Sequence, residues 1–540
     1  MEFATDVCPP ACENTSNRAQ APAIPGLQGR AMSKIRSALA LASLEQYLTL
    51  LVGFATVAAL SRLLTPAEIG FAVVGTGLST IVFSFREFST TEFLIQKGAL
   101  DEKDVRTSFT IFMTASAVLG AALLCVSPAL ARLYGSEPLF HFLAFATFAA
   151  MVEALSSPTI ALMRRDMDFS TIAWVRIPGL MSTAVVSIGL AYGGHGFVSI
   201  AIGAACGAVV TTALALRARP NWRHFLPAIS RRHDVFAFGR YKGATTVVDR
   251  IYESLPQLVL ARLLPLSAVG MYNRANAVCG IPDRLLLSSV FSVAYPALSA
   301  ALREGQDMKE AYLRSLSYIT AVYWPAVLLL AVLADPVVRI VLGPNWDAAV
   351  PLVRILSVAS VFWFPAILTF PVLASIGANR DAFLANAIGR STAAAMLCSA
   401  SLWGLTAMAL SQFVNLPVQM LIALGAVRRH IPFTINELLR VLAPSAVTTV
   451  CCLAGPLALV GIRGSGFDLS FPESLAVAAL AGAGWLAGLA LTGHPMLHEV
   501  NRVRRRLVPK RQVVGAAGTR RHRAGRQTVS AAATTPIRKT

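Results

Sequence analysis

The stretch FAFGRYKGATTVVDRIYESLPQLVLARLL, residues 236–264, is long enough to cross a bilayer, yet it carries Arg240, Lys242, Asp249, Arg250 and Glu253. On a helix Lys242, Thr246, Asp249, Glu253 and Gln257 recur at i, i+4, i+7, i+11 and i+15 and share one face. A charge facing hydrocarbon costs at least ~2.5–3.5 kcal/mol at the bilayer centre, so this face is expected to line water or to pair with other helices. The next segment, GMYNRANAVCGIPDRLLLSSVFSVAYPAL, continues the theme with Asn273, Arg274, Asn276, Asp283 and Arg284. Two consecutive membrane helices with polar inner faces imply the wall of a hydrophilic cavity, as a transporter needs. A buried carboxylate can take up a proton on one side of such a cavity and release it on the other, or bind sodium. Asp249, Glu253 and Glu45 are the candidates for that role. Glu153, alone in AAMVEALSS, is a fourth and is also readable as a plain helix contact.

A bundle of membrane helices must position these groups. Of 540 residues, 55% are hydrophobic and 14% charged, which excludes an ordinary soluble globular protein. Apolar runs of about twenty residues predict fourteen transmembrane helices in an all-α polytopic fold, near 39–61, 70–95, 107–127, 139–162, 172–192, 197–216, 236–262, 270–298, 314–334, 348–375, 382–403, 404–427, 438–462 and 474–492. The implied organisation is a disordered tail over 1–36, a six-helix lobe over 37–216, a basic linker over 217–235, a second lobe over 236–427, a helix pair over 436–494 and a basic tail over 495–540. A net charge of +19 would suggest nucleic acid in a soluble protein. Here it collects in short loops and in the tail, the positive-inside pattern, so membrane lipid is the expected neighbour and nucleic acid is not. Alternating the loops places both termini in the cytoplasm of a multi-pass inner-membrane protein. Cys8 and Cys12 form a lone CxxxC without a second pair, so neither metal nor cofactor is expected. The first 30 residues hold no apolar run, so no cleavable leader is expected either. Trp324, Trp346, Trp363 and Trp403, near predicted helix ends, are expected as interfacial anchors.

The chain also repeats itself. SRLLTPAEIG (61–70) lies over ARLLPLSAVG (261–270), matching Arg62 to Arg262 and Gly70 to Gly270, and PALARLYG (128–135) lies over PVVRIVLG (336–343). Two six-helix halves of like topology, with a site between them, are a known transporter construction. Glu45, Thr49 and Gly53 then correspond to Thr245, Asp249 and Glu253, so the first helix of each half presents a polar or small face at an equivalent place.

LSRLLTPAEIGFAVVGTGLS, REFSTTEFLIQ, LARLLPLSAVGMYNRANAV, VFSVAYPALS, LGPNWDAAV and ANRDAF together resemble the bacterial polysaccharide-export flippases, the Wzx-type exporters of the MATE-like MOP superfamily, over roughly 35–430. The resemblance implies a membrane transporter, not an enzyme, that moves an undecaprenyl-pyrophosphate-linked oligosaccharide to the outer leaflet, with a polysaccharide polymerase or export machinery as a further partner. It makes Arg240, Lys242, Arg250, Arg274 and Arg284, with Arg86 and the neighbouring Asn273 and Asn276, candidates for holding the substrate, because arginine meets phosphate through a planar two-pronged contact and keeps its charge when buried. The same cations could instead pair with Asp249, Glu253, Asp283 and Glu87 to hold helices together. Two rival readings stand beside this one. A cation-coupled drug exporter of the same superfamily should favour carboxylates over cations in its cleft. A membrane-embedded polysaccharide ligase or glycosyltransferase needs a catalytic outer loop, but the outer loops are short, and the sequence holds no DxD, HExxH or GxxxxGK[ST].

Overall fold

A capping box sets where the second helix begins. The Thr65 backbone N–H donates to Glu68 Oε2 at 2.8 Å, the Glu68 N–H donates back to Thr65 Oγ1 at 3.3 Å, and Pro66 occupies the first turn. The structure, a computed structural model, describes residues 45–89, 92–97, 100–284, 307–464 and 466–507; for a few of these, among them 236–242 and 503–507, it describes the backbone only. The first half holds α1 (Glu45–Leu63), α2 (Pro66–Ser84), a 3-10 turn (Phe85–Ser89), the short α3 (Glu92–Gln96), α4 (Glu102–Leu133), α5 (Pro138–Arg165), α6 (Phe169–Tyr192) and α7 (Val198–Ala218). The second half holds α8 (Arg232–Leu263), α9 (Leu266–Cys279), α10 (Met308–Val332), α11 (Ala334–Val341), α12 (Val350–Ala359), α13 (Phe364–Ser375), α14 (Asn379–Ser401), α15 (Leu405–Leu410) and α16 (Gln412–Arg428). Two more capping boxes, Thr434 with Glu437 and Ser470 with Glu473, open α17 (Ile435–Arg463) and α18 (Phe471–Leu491). The described residues contain no strand.

Among the described residues eleven helices are long and apolar enough to cross a membrane, against the fourteen expected. The three left over are α8, α9 and α14. Polarity rather than length separates α8 and α14, which run for 32 and 23 residues. The C-terminal half of α8 carries Asp249, Arg250, Glu253 and Arg262, and α14 carries Arg380, Asp381 and Arg390. The expected continuation of α9 over 285–298 lies outside the described residues.

Repeat positions meet in space. A Cβ on Gly270 would fall 1.9 Å from the Pro66 carbonyl oxygen, and a Cβ on Gly70 would fall 2.0 Å from that of Leu266. Residues 66 and 266 are themselves repeat partners, so α2 and α9 cross through a reciprocal contact in which each glycine admits the backbone of the other helix. Around the crossing, Leu60, Leu64, Ile69, Leu260, Val269, Leu342 and Trp346 belong to one buried cluster drawn from both halves. The second match holds in backbone conformation, since Gly135 and Gly343 both take positive φ, +63° and +100°. Arg62 lies against Gly343, with its Cγ 3.2 Å from where a Cβ would be, and donates to the Ile340 carbonyl. In the other half Arg262 lies close enough to Tyr134 for its charge to oppose the rise that burial gives that phenol. Trp346 is not an interfacial anchor. It is fully buried and donates through Nε1 to the Ser61 carbonyl at 2.6 Å, because it is needed to close the same joint.

By its internal contacts the chain divides after His494 into two compact units. The second contains α19 (Met496–Leu507), whose sequence MLHEVNRVRRRL is strongly basic.

Candidate functional site

Glycines and small residues let the helices of the first half pack closely on one side and part on the other. A Cβ on Gly207 would meet Thr183 Oγ1 at 1.8 Å, one on Gly203 would meet Ser187 Oγ at 1.9 Å, and one on Gly179 would meet Thr211 Oγ1 at 1.9 Å, so α6 and α7 lie in near backbone contact. Beside that seam opens a cavity of about 820 Å³. Its walls are Glu45 and Thr49 on α1, Thr76, Ser79, Thr80 and Ser84 on α2, Arg86 and Glu87 on the 3-10 turn, Glu153 and Ser156 on α5, Arg176 and Thr183 on α6, Thr211 on α7, and Thr246 and Arg250 on α8. Alanines and glycines of α5, α6 and α7 fill most of the remaining wall, with Phe83 and Phe142.

The lining is balanced, with three arginines and three glutamates. Arg86 Nη2 pairs with Glu153 Oε2 at 2.9 Å, its Nη1 donates to the Ala150 carbonyl at 3.2 Å, and its guanidinium lies 5.1 Å from the Phe112 ring and 5.7 Å from that of Phe83. Arg176 lies 3.6 Å from Glu45 across the cavity. Arg250 holds Glu253 at 2.8 Å, one turn along its own helix. Four hydroxyls of the wall donate to carbonyls of their own helices: Ser79 to Gly75, Ser84 to Ile81, Ser156 to Glu153 and Thr183 to Gly179. Their oxygen lone pairs remain to accept from a polyhydroxylated guest. Among the described residues no group of three or more His, Cys, Asp or Glu is placed to hold a metal ion.

Of the residues singled out from sequence, the cavity brings together Glu45, Arg86, Glu153 and Arg250. The polar face of α8 divides. Thr246 and Arg250 line the cavity, whereas Asp249 and Glu253 meet Arg390 of α14 at 3.9 and 3.6 Å, and the Tyr252 hydroxyl bonds Ser391 Oγ at 2.6 Å. The α9 candidates do not line this cavity. Asn276 donates back to the Tyr272 carbonyl at 2.9 Å, Arg284 is exposed and Asn273 half-buried, while Arg274 is buried with its Nε unpartnered among the described residues. The side chains of Arg240 and Lys242 lie outside the described residues.

Sequence reasoning missed Arg176 and Arg390. Arg176 stands inside a span without another charge, and Arg390 nine residues past the nearest one in α14, Asp381, so the cost of a charge in hydrocarbon that drew attention to α8 applies to both. The same holds for a polar ladder in the second half. Gln419 Nε2 donates to Asn415 Oδ1 at 3.2 Å, Asn415 Nδ2 to Gln412 Oε1 at 2.9 Å, and Gln412 Nε2 to the Tyr272 hydroxyl at 3.2 Å.

An all-helical membrane bundle with charged groups gathered around an internal cavity defines a class of transporter folds. The chain superposes on "Lipid II flippase MurJ, inward closed conformation" with a TM-score of 0.66 at 13% identity, over 85% of this chain and 99% of that one. It also superposes on an inward-facing multidrug resistance MATE family transporter of the MOP superfamily, with a TM-score of 0.58 at 14% identity, over 73% and 98% of the two chains. The fold of this multi-pass membrane protein is therefore MurJ/MATE-like. Residues 59–351, more than half of the chain, match the family described as Polysaccharide biosynthesis protein, and the chain belongs to it. Relatives include the succinoglycan biosynthesis transport protein ExoT of Rhizobium meliloti (strain 1021), 24% identical over 61% of this chain and 67% of that one. The lipopolysaccharide biosynthesis protein WzxC of Escherichia coli (strain K12) is 20% identical over 57% and 63%. The teichuronic acid biosynthesis protein TuaB of Bacillus subtilis (strain 168) is 21% identical over 50% and 56%, so the chain matches between about half and two thirds of these relatives' lengths.

Proposed function

We propose that this protein is a flippase that moves a polyprenyl-pyrophosphate-linked oligosaccharide repeat unit across the inner membrane for polysaccharide biosynthesis, by alternating access between its two halves. The observation that carries the reading is the 820 Å³ cavity, walled by arginines, glutamates and hydroxyls on helices that, α8 apart, are apolar enough to cross a membrane. Such a substrate has an anionic diphosphate and a polar glycan that must stay out of hydrocarbon, and a long apolar tail that need not. The cavity offers guanidinium groups to the first and hydroxyl oxygens to the second. The joint at Gly70, Gly270 and Trp346 closes the bundle at the α1–α2 end, while Glu45 places the cavity toward the other end of α1. With both termini in the cytoplasm, this is a state open inward. A polymerase or export complex would take the repeat unit on the far side.

One observation keeps the drug-exporter reading beside this one. Three glutamates match three arginines in the lining, so charge alone does not disfavour a cationic cargo. The full-length protein in proteoliposomes separates the two. With a fluorescent undecaprenyl-pyrophosphate oligosaccharide in both leaflets, flipping is expected to expose the protected half of the label to a membrane-impermeant quencher. No added exposure, with efflux of an organic cation instead, would overturn the flippase reading.

A further inference from the structure

The three arginines of the cavity are not held alike. A guanidinium has five N–H donors in a fixed fork. Arg86 is committed to the protein by an ion pair, a carbonyl and two aromatic rings, and its side chain is only 13% exposed. Arg250 is fixed by Glu253, which also faces Arg390. Arg176 is different. Its nearest acid among the described residues, Glu45, stands at 3.6 Å, beyond hydrogen-bond reach, and 45% of the Arg176 side chain is exposed. It shares a cavity-lining face with Gly179, Leu180 and Thr183 at i+3, i+4 and i+7. An arginine whose donors have no hydrogen-bond partner among the described residues, facing an open cavity, is suited to a two-pronged contact with phosphate oxygens.

We propose that Arg176 is the cavity's diphosphate contact and that Glu45 holds its place until substrate arrives. This rests on the flippase reading above. Binding then exchanges one anion for another on the same guanidinium and unties α1 from α6, the two helices the pair now bridges. Arg86 serves instead to fix the 3-10 turn against α5.

The test uses full-length protein in nanodiscs and native mass spectrometry, with undecaprenyl pyrophosphate, inorganic pyrophosphate and undecaprenol as separate probes. Arg176→Ala is expected to weaken undecaprenyl pyrophosphate binding roughly tenfold, as loss of a charge-assisted pair implies, and to leave undecaprenol unchanged. Arg176→Lys should restore part of the loss, because a point charge replaces the fork. Glu45→Gln should tighten binding several-fold by removing the competing anion, and Arg86→Ala should lower thermal stability more than affinity. Inorganic pyrophosphate is expected to bind weakly and to lose that binding in Arg176→Ala. If Arg176→Ala binds the lipid pyrophosphate as wild type does, or loses undecaprenol equally, the assignment is wrong while the flippase reading stands. If wild-type protein fails to bind undecaprenyl pyrophosphate at all, that reading falls and the assignment falls with it.

Discussion

The two halves share a repeat and meet through matched glycines, yet they house their polar groups differently. In the first, Glu45, Arg176, Arg86 and Glu153 surround open space. In the second, Gln412 and Asn415 are buried at 7% and 2% exposure in a ladder ending on Tyr272, and Arg390 joins α8 to α14. Polar groups in a bilayer need partners. Where the protein supplies them, the half is tied together internally. Where it leaves them to water, a guest can take them. The difference leaves most of the open polar wall in the first half, with Thr246 and Arg250 the second half's share of it.

The largest expected effect falls where the halves are alike. Gly270→Val would place its Cβ 1.9 Å from the Pro66 carbonyl, and Gly70→Val would place its own 2.0 Å from that of Leu266. Overpacking costs ~1–3 kcal/mol where side chains can yield, and here backbone must move, so either variant should lose folded protein on size-exclusion chromatography. Gly53→Ala, with nothing within 4 Å of the added atom, should melt no lower than wild type. A tolerated Gly270→Val would show that the halves do not meet as described.

A smaller effect tests the contrast between wet and filled interiors. Asn415→Leu strands Gln412 Oε1 among buried atoms and takes its partner from the half-buried Gln419 Nε2. Both bonds lie within α16, where such pairs contribute ~0.2–0.5 kcal/mol each, and the buried Gln412 oxygen also loses its partner, so stability should fall by about 1 kcal/mol in a detergent melt. Ser79→Ala, on the cavity wall, should cost less, since its oxygen has open space rather than a protein partner beyond Gly75. Equal losses from the two substitutions would remove the distinction.

Much of this architecture was legible beforehand, and what was not has a common cause. The match of Arg62 to Arg262 and Gly70 to Gly270 pointed to a repeat because tight crossings leave small residues at fixed offsets. The charges on α8 stood out against an apolar background for the same reason that they matter. Spacing along one helix tells which residues share a face, but not what stands opposite. Asp249 and Glu253 therefore went to the cavity on paper and to Arg390 in space. Trp346 looked like an anchor because it is aromatic and near a helix end, and only the approach of Ser61 from the other half gives its indole a buried partner.

The smallest effect concerns the joints that close each half. Arg219, at the end of α7, meets Asp166 at 2.5 Å and Asp168 at 3.5 Å, in the turn before α6. The corresponding joint in the second half pairs His430, just past α16, with Asp381 at 2.7 Å. Burial would raise the Asp168 carboxyl, but hydrogen bonds from Thr171 and the Arg219 charge outweigh it and hold the group below its ordinary value. A carboxyl lowered on folding contributes stability above its unfolded pKa and loses it as pH falls through the folded one. The contribution should therefore be whole at neutral pH and begin to fade only below about pH 4. Because the side chain is 35% exposed, its size should stay under about 1 kcal/mol. Melting wild type and Asp168→Asn side by side from pH 7 to pH 3 measures it. Wild type should lie higher at pH 7, with a gap that is flat down to the carboxylate range and narrows below it. A gap that changes instead between pH 7 and pH 5 would mean that a group other than this carboxylate controls the first joint.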